Sequence, residues 1–537
     1  MVPTPLRRKQ KSTFGLLLAL LALLALPAGQ ARASTDQIAM LMDDPGLYTN
    51  AGGTLSQLHA LGVQMVRLSV RWQAIAPRAN SHRRPHFNAA DPGAYPAASW
   101  RAVDAIVQTA QQEGIRVDLD AMGGAPLWAT GPRPPGGKKH FYQWKPSASQ
   151  FRLFVQALGT RYSGSYTPAG ASKPLPRVSF WSVWNEPDYG PSLAPQGVYP
   201  KHIRVENSPH LYRNLVDAAW NGLHRSGHGG DTFLFGEVAP RGAKTWGVFS
   251  GMKPLIFLRA MYCLNSHYRP LRGSAASLRG CPTSAAGSRR FRSQHPALFG
   301  ASGFSDHPYM RWYPPNHEKH SDRNYSSLGT IGFLESALDR VARAYGSHTS
   351  FPIYDTEFGY ITSPPNKRVK YPYVSPATAA YYINWAEYLH WRDPRLKSYN
   401  QYLLRDALQR TALHGYGFNS GLVFFNGTPK PMFDAYRLPL YLPQTNASRG
   451  SNLEVWGSAR PAHFASADSG GAPQSVQIQF AASGSSTFST VVNVPISDPG
   501  GYFDTHVQFP SSGTVRLLYT YPSGQAVESR HVDITLH

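Results

Sequence analysis

Only two cysteines, Cys263 and Cys281, stand in this sequence. A thiolate metal cluster would need further close ligands, and none is adjacent to them. In an oxidising compartment such a near pair reads as a disulfide, with two free buried thiols as the alternative. Acid is scarce too: 31 Asp and Glu face 53 Lys and Arg, a formal net charge of +22. That balance favours acidic partners such as anionic glycans, cell-wall polymers or nucleic acid, an Arg-rich soluble surface being the plain alternative. Signatures of the form G-x-G-x-x-G or G-x-x-x-x-G-K-[ST] are missing, which removes support for an open, doubly wound nucleotide-binding sheet. Long apolar runs are missing after the first, so no integral membrane segment is expected in the mature chain.

That first run has its own logic. Arg7, Arg8, Lys9 and Lys11 precede an apolar stretch from Phe14 to Leu26, and Ala31-Arg32-Ala33 follows. Basic, apolar and small-residue parts in this order read as a secretory signal over residues 1–33, and hence a secreted, extracellular protein. The apolar stretch falls short of the roughly 20 residues a spanning helix needs.

From about residue 37 to 440 short apolar strands alternate with helical stretches. Strands are expected at 37–42, 64–70, 116–122, 178–184, 232–237, 303–307, 351–357 and 398–404. Helices are expected between them, with Gly62 and Gly114 placed where two should stop in left-handed caps. Eight strand-then-helix units point to an α/β fold, a closed (β/α)8 TIM barrel, over residues 34–445. After residue 440 the helical period disappears. Six alternating strands between turn residues predict a C-terminal antiparallel β-sandwich domain over 446–537. The connection is short and lacks a Gly/Ser tract, so the two units should pack together.

Barrel enzymes carry their chemistry at the C-terminal ends of the strands. Strand four ends in Trp181-Ser182-Val183-Trp184-Asn185-Glu186-Pro187, and strand seven in Ile353-Tyr354-Asp355-Thr356-Glu357-Phe358-Gly359. Two such glutamates face one another across the barrel mouth, as glycoside cleavage requires. Strand six ends in Asp306-His307-Pro308-Tyr309, and strand two holds Val66-Arg67-Leu68-Ser69-Val70-Arg71-Trp72.

On these motifs the chain resembles the clan A glycoside hydrolases, families 5 and 39, from about residue 37 to 440. The resemblance implies a retaining hydrolase acting on O-glycosidic bonds. Glu186 would be its acid/base and Glu357 its nucleophile, with Asn185 on the sugar 2-hydroxyl and His307 toward the substrate. It also implies that Tyr309 donates to the nucleophile and that Arg67 supports its charge. Strand three, Asp118-Leu119-Asp120, lacks the family 5 His, and strand eight offers Tyr402 where a Trp is common. Cellulose or mannan specificity is therefore not carried over. Glu237, ending strand five, matches no motif and is expected at most in a supporting position.

Carbohydrate is the expected substrate, with no metal and no organic cofactor. Basic residues assigned to the catalytic-side loops (Arg83, Arg84, Lys138, Lys139, Lys367, Arg368, Lys370) suggest an anionic glycan, an ordinary solvated rim being the alternative. Aromatic residues there, among them Trp72, Trp128, Trp312, Tyr371 and Tyr373, are expected to stack on sugars. Nucleic acid is not expected as a partner. A glycan-binding barrel without activity and a transglycosylase using the same residues stay open beside hydrolysis.

Overall fold

The computed structural model describes residues 36–243, 246–317, 322–365, 373–407 and 418–537. The expected leader at 1–33, together with Lys367, Arg368, Lys370 and Tyr371, lies outside them, as does the side chain of Lys138. Eight parallel strands close the barrel: β1 (Ile38–Met42), β2 (Met65–Arg71), β3 (Arg116–Met122), β4 (Phe180–Val183), β5 (Thr232–Val238), β6 (Gly303–Asp306), β7 (Ile353–Asp355) and β8 (Leu396–Tyr402). Each pairs with its sequence neighbours, and β8 returns to β1. Helices such as Ala97–Gln112, Ala148–Arg161 and Ser208–Arg225 wrap the outside.

Alternation along the strands sorts side chains into two layers. In β2, Val66, Leu68 and Val70 join the large core beneath the helices. Met65 points the other way and meets Met40, Phe180 and Leu234 in a small apolar cluster. Arg67 and Ser69 share the face of Met65, so the barrel is apolar in one interior layer and polar above it. Gly62 (φ 77°) and Gly114 (φ 68°) take the left-handed cap conformation. A Cβ on Gly62 would also lie 2.1 Å from the Arg460 carbonyl oxygen, so this cap sits directly against the second domain.

Beyond residue 440 two sheets share one core. Beside the two-residue strands Leu440–Tyr441 and Asn446–Ala447, they hold β9 (Asn452–Ser458), β10 (Gln474–Ala482), β11 (Ser489–Ile496), β12 (Tyr502–Gln508), β13 (Gly513–Thr520), β14 (Ala526–Glu528) and β15 (Val532–Leu536). Two expectations need correction. A helix, Ala462–Asp468, interrupts the strands, started by Pro461 and held by Phe464, which stacks on His59 of the barrel at 4.1 Å. The last expected strand is split, because Arg530 turns aside to donate to Asn384 Oδ1 at 2.7 Å.

The two domains pack closely. Arg460 donates to both oxygens of Glu387 at 2.7 and 2.8 Å, and the Tyr502 hydroxyl donates to the same carboxylate at 2.6 Å. Tyr388, Tyr441, Trp456 and Tyr502 form an aromatic seam beside them. Cys263 and Cys281 are joined in a disulfide. Among the described residues, no helix is long and apolar enough to cross a membrane.

Candidate active site

Arg67 is the centre of the polar layer and is fully buried. Its guanidinium donates to Asp120 of β3 (3.1 Å), Asn185 after β4 (3.1 Å), Glu237 of β5 (2.6 Å) and Glu357 after β7 (2.8 Å). Burial opposes this charge, but Glu237, Asp120 and Glu357 outweigh it and hold the pKa well above its ordinary value. A cation so placed fixes four acceptors from four strands in one geometry.

His307 makes the second cross-link. Its Nε2 lies 3.0 Å from Glu237, and its Nδ1 lies 3.3 Å from Glu186 and 3.7 Å from Glu357. Burial disfavours protonation, yet the carboxylates, Glu357 foremost, raise its pKa well above the usual histidine value. A carboxylate thus faces each ring nitrogen of His307, an arrangement that favours the imidazolium form. The Tyr309 hydroxyl donates to Glu357 Oε2 at 3.1 Å. Burial raises the pKa of Glu357, while His307 and Arg67 draw it back down and Glu186 and Glu237 add to the rise.

Backbone strain sits where these groups are aimed. Trp184 (φ 70°), Glu186 (φ 42°) and Glu237 (φ 50°) all occupy the left-handed region, a cost of roughly 1–3 kcal/mol each for non-glycine residues. Glu237 lies in a bulge, where pairing with β6 shifts register between Gly236 and Val238. The alternation set by Phe233 and Phe235, which face the helices, would send Glu237 outward. The bulge turns it inward instead. Gly236 is needed there, since a Cβ would lie 2.4 Å from the Ser305 carbonyl oxygen.

Above this layer opens a pocket of about 1120 Å³, lined by Asn185, Glu186, Tyr309, Glu357 and Tyr402, with Trp312, Tyr373 and Phe418 among its aromatic walls. One carboxylate oxygen each from Glu186 and Glu357, with a ring nitrogen of His307, fall within 4.8 Å of one another. These three are the described residues whose ligand atoms could hold a metal ion. The donor set suits protons better, because both His307 nitrogens already face carboxylates and Glu357 already accepts from Arg67 and Tyr309.

The expected sugar platforms Trp72 and Trp128 are elsewhere. The chain enters the short helix Trp72–Ile75 directly after β2, which carries Trp72 off the rim. Its indole is fully buried against Phe151 and Phe154. Trp128 packs edge-on to Trp72 and donates its Nε1–H to the Pro77 carbonyl at 3.0 Å. Arg83, Arg84 and Lys139 do not line the pocket. Arg84 stacks instead over Phe87 and Trp128. Arg71, Arg241 and Arg311 do line it. The reading by motif gave them no role, and a strand-end or loop position was the only signal available.

No family model matches this sequence, and neither does any curated protein. Solved structures similar to it include a family 39 glycoside hydrolase from the gut symbiont Bacteroides cellulosilyticus WH2, at 14% identity over 89% of this chain and 80% of that one, TM-score 0.45. An endo-beta-1,4-mannanase from Thermotoga petrophila is similar at 11% identity over 95% and 100% of the two chains, TM-score 0.38. A family 51 alpha-L-arabinofuranosidase from Bifidobacterium longum is similar at 12% identity over 94% and 98%, TM-score 0.42. Identities this low transfer no substrate.

Proposed function

We propose that this chain is a secreted, retaining glycoside hydrolase with Glu357 as nucleophile and Glu186 as acid/base. One observation carries the reading: carboxylate oxygens of these two residues come within 4.8 Å over one open pocket. Retaining enzymes hold their carboxyl groups roughly 5–5.5 Å apart, whereas inverting ones leave about 6.5–9.5 Å for a water.

In the first step Glu357 attacks the anomeric carbon as the bond to the departing oxygen breaks, and Glu186 gives that oxygen its proton. In the second, Glu186 takes a proton from water, the water oxygen bonds to the anomeric carbon, and Glu357 leaves. Arg67 and Tyr309 donate to Glu357, favouring its carboxylate as nucleophile and again as leaving group. Asn185 has its Oδ1 engaged by Arg67, which leaves its amide N–H groups for a sugar hydroxyl. Barrel residues 34–445 would form the catalytic unit, residues 446–537 its buttress, and residues 1–33 the export leader. The disulfide fits an oxidising compartment.

The test is hydrolysis across a panel of aryl glycosides, with the first-formed anomer followed by proton NMR. Retained configuration is expected. Product of opposite configuration would remove the double displacement, and transfer to an added sugar in preference to water would make the chain a transglycosylase.

A further inference from the structure

The pocket carries cations that bond cleavage does not use. Arg71 ends β2, Arg241 follows β5 and Arg311 follows β6, and all three line the opening. Among the described residues none of them forms an ion pair or donates a hydrogen bond. Arginines elsewhere in this chain are closely matched: Arg67, Arg161 and Arg460 each hold a carboxylate within 3.1 Å.

Arg241 is the most informative of the three. Its guanidinium stands 5.6 Å from the centre of the Tyr313 ring and 5.7 Å from that of Tyr325, so two aromatic faces fix its place. Its Nε is buried and has no hydrogen-bond partner among the described residues. Burial, and next the charge of Arg311, lower its pKa, and the raising influence of Tyr325 and Tyr313 does not offset them. A desolvated charge beside a like charge is costly unless an anion joins it. Two guanidinium groups present planar forks that fit carboxylate or sulfate oxygens.

The location is relevant too. Ala239 N–H donates to Asp188 Oδ1 at 2.9 Å, tying the loop that bears Arg241 to the turn just after Glu186. Arg311 lies 5.7 Å from the ring of Trp312, which also lines the pocket. We propose that Arg241 and Arg311 form an anion subsite of this pocket, and that its ligand is an acidic glycan bearing a carboxylate or sulfate on a sugar next to the one cleaved. The proposal rests on the hydrolase reading for the cleavage point, but the subsite itself is tested by binding.

For that test the full chain carries Glu186→Gln, so that ligands are held without turnover. Calorimetric titration uses oligogalacturonate, which has only carboxylates, carrageenan oligosaccharides, which have only sulfates, hyaluronan oligosaccharides, and neutral cello-, xylo- and manno-oligosaccharides. At least one acidic ligand is expected to bind, with affinity falling as salt rises. Adding Arg241→Met or Arg311→Met should weaken it by about tenfold or more, the loss of one charge-assisted contact. Arg241→Lys keeps the charge between the two rings without the fork and should retain part of the affinity. Thermal melting of each variant at the parent's temperature excludes unfolding as the cause.

Binding of neutral ligands alone, no binding by any of the acidic panel, or acidic binding unchanged in both methionine variants would overturn the subsite. Hydrolysis by the wild-type chain is scored separately. Acidic binding with no glycoside cleaved sinks the hydrolase and leaves the subsite, while cleavage of neutral glycosides with no acidic ligand bound does the reverse.

Discussion

Glu237 is the residue whose role the sequence conceals most. It matches no motif, yet one of its oxygens accepts from Arg67 at 2.6 Å and lies 3.0 Å from His307. Burial works against its ionisation, but Arg67 and then His307 prevail and its pKa falls below the usual value. Its contribution to stability is therefore present above the unfolded carboxylate pKa and lost as pH falls through the folded one. Glu237→Gln keeps the shape and removes the charge. It should cost on the order of 3 kcal/mol in a denaturant titration, because two buried cations lose a counter-ion. It should also move the His307 titration, read by NMR, to lower pH. An unchanged His307 titration would show that Glu237 does not hold that proton. Asp118 runs the other way: burial, then Glu237, raise its pKa to about 7. Stability from its protonated form is full below the unfolded value and fades as pH rises toward 7. Asp118→Asn should therefore gain up to about 4 kcal/mol at and above pH 7 and nothing at pH 3. Melting curves across that range check the sign.

Among the elements, the ends of β4, β6 and β7 were legible because each joins a strand pattern to a compact polar motif. Asn185-Glu186, His307-x-Tyr309 and Glu357 come together as those motifs imply. The orientation of single side chains was less legible, since it depends on where each strand yields to the next element. Trp72 follows β2 without a loop and is drawn into the core by an immediate helix. Glu237 is reversed by a bulge that leaves no mark beyond Gly236. Helix Ala462–Asp468 is a single short element whose apolar residue Phe464 faces another domain, so no periodicity within the sandwich reveals it. The contact between the two domains, to which it belongs, makes its own prediction. Arg460→Met leaves Glu387 buried beside Tyr502 without its cation and should destabilise the chain by about 3–5 kcal/mol. Arg460→Met with Glu387→Leu should recover much of that loss. A double variant no better than the single would mean that the pair does not act as a unit.

At the scale of the molecule, the barrel brings together groups from β2, β3, β4, β5, β6 and β7 that are up to 290 residues apart in the chain. The strand count and the two-domain division followed from periodicity, which is a property of whole segments. The cationic wall of the pocket did not, because net charge says nothing about which loops converge. Arg84 donates to Gln150 and lies over Phe87, away from the pocket, while Arg241 and Arg311, unremarkable in sequence, line the opening.

Facing roles for Glu186 and Glu357 are tested most directly by adding azide to the two alanine variants on an activated aryl glycoside and determining the anomer of the glycosyl azide each releases. If Glu357 is the nucleophile, Glu357→Ala yields the azide of inverted configuration, because azide enters the vacated face in a single displacement. Glu186→Ala yields the azide of retained configuration, because azide then resolves the covalent intermediate. The same anomer from both variants, or rescue of neither, would contradict the assignment.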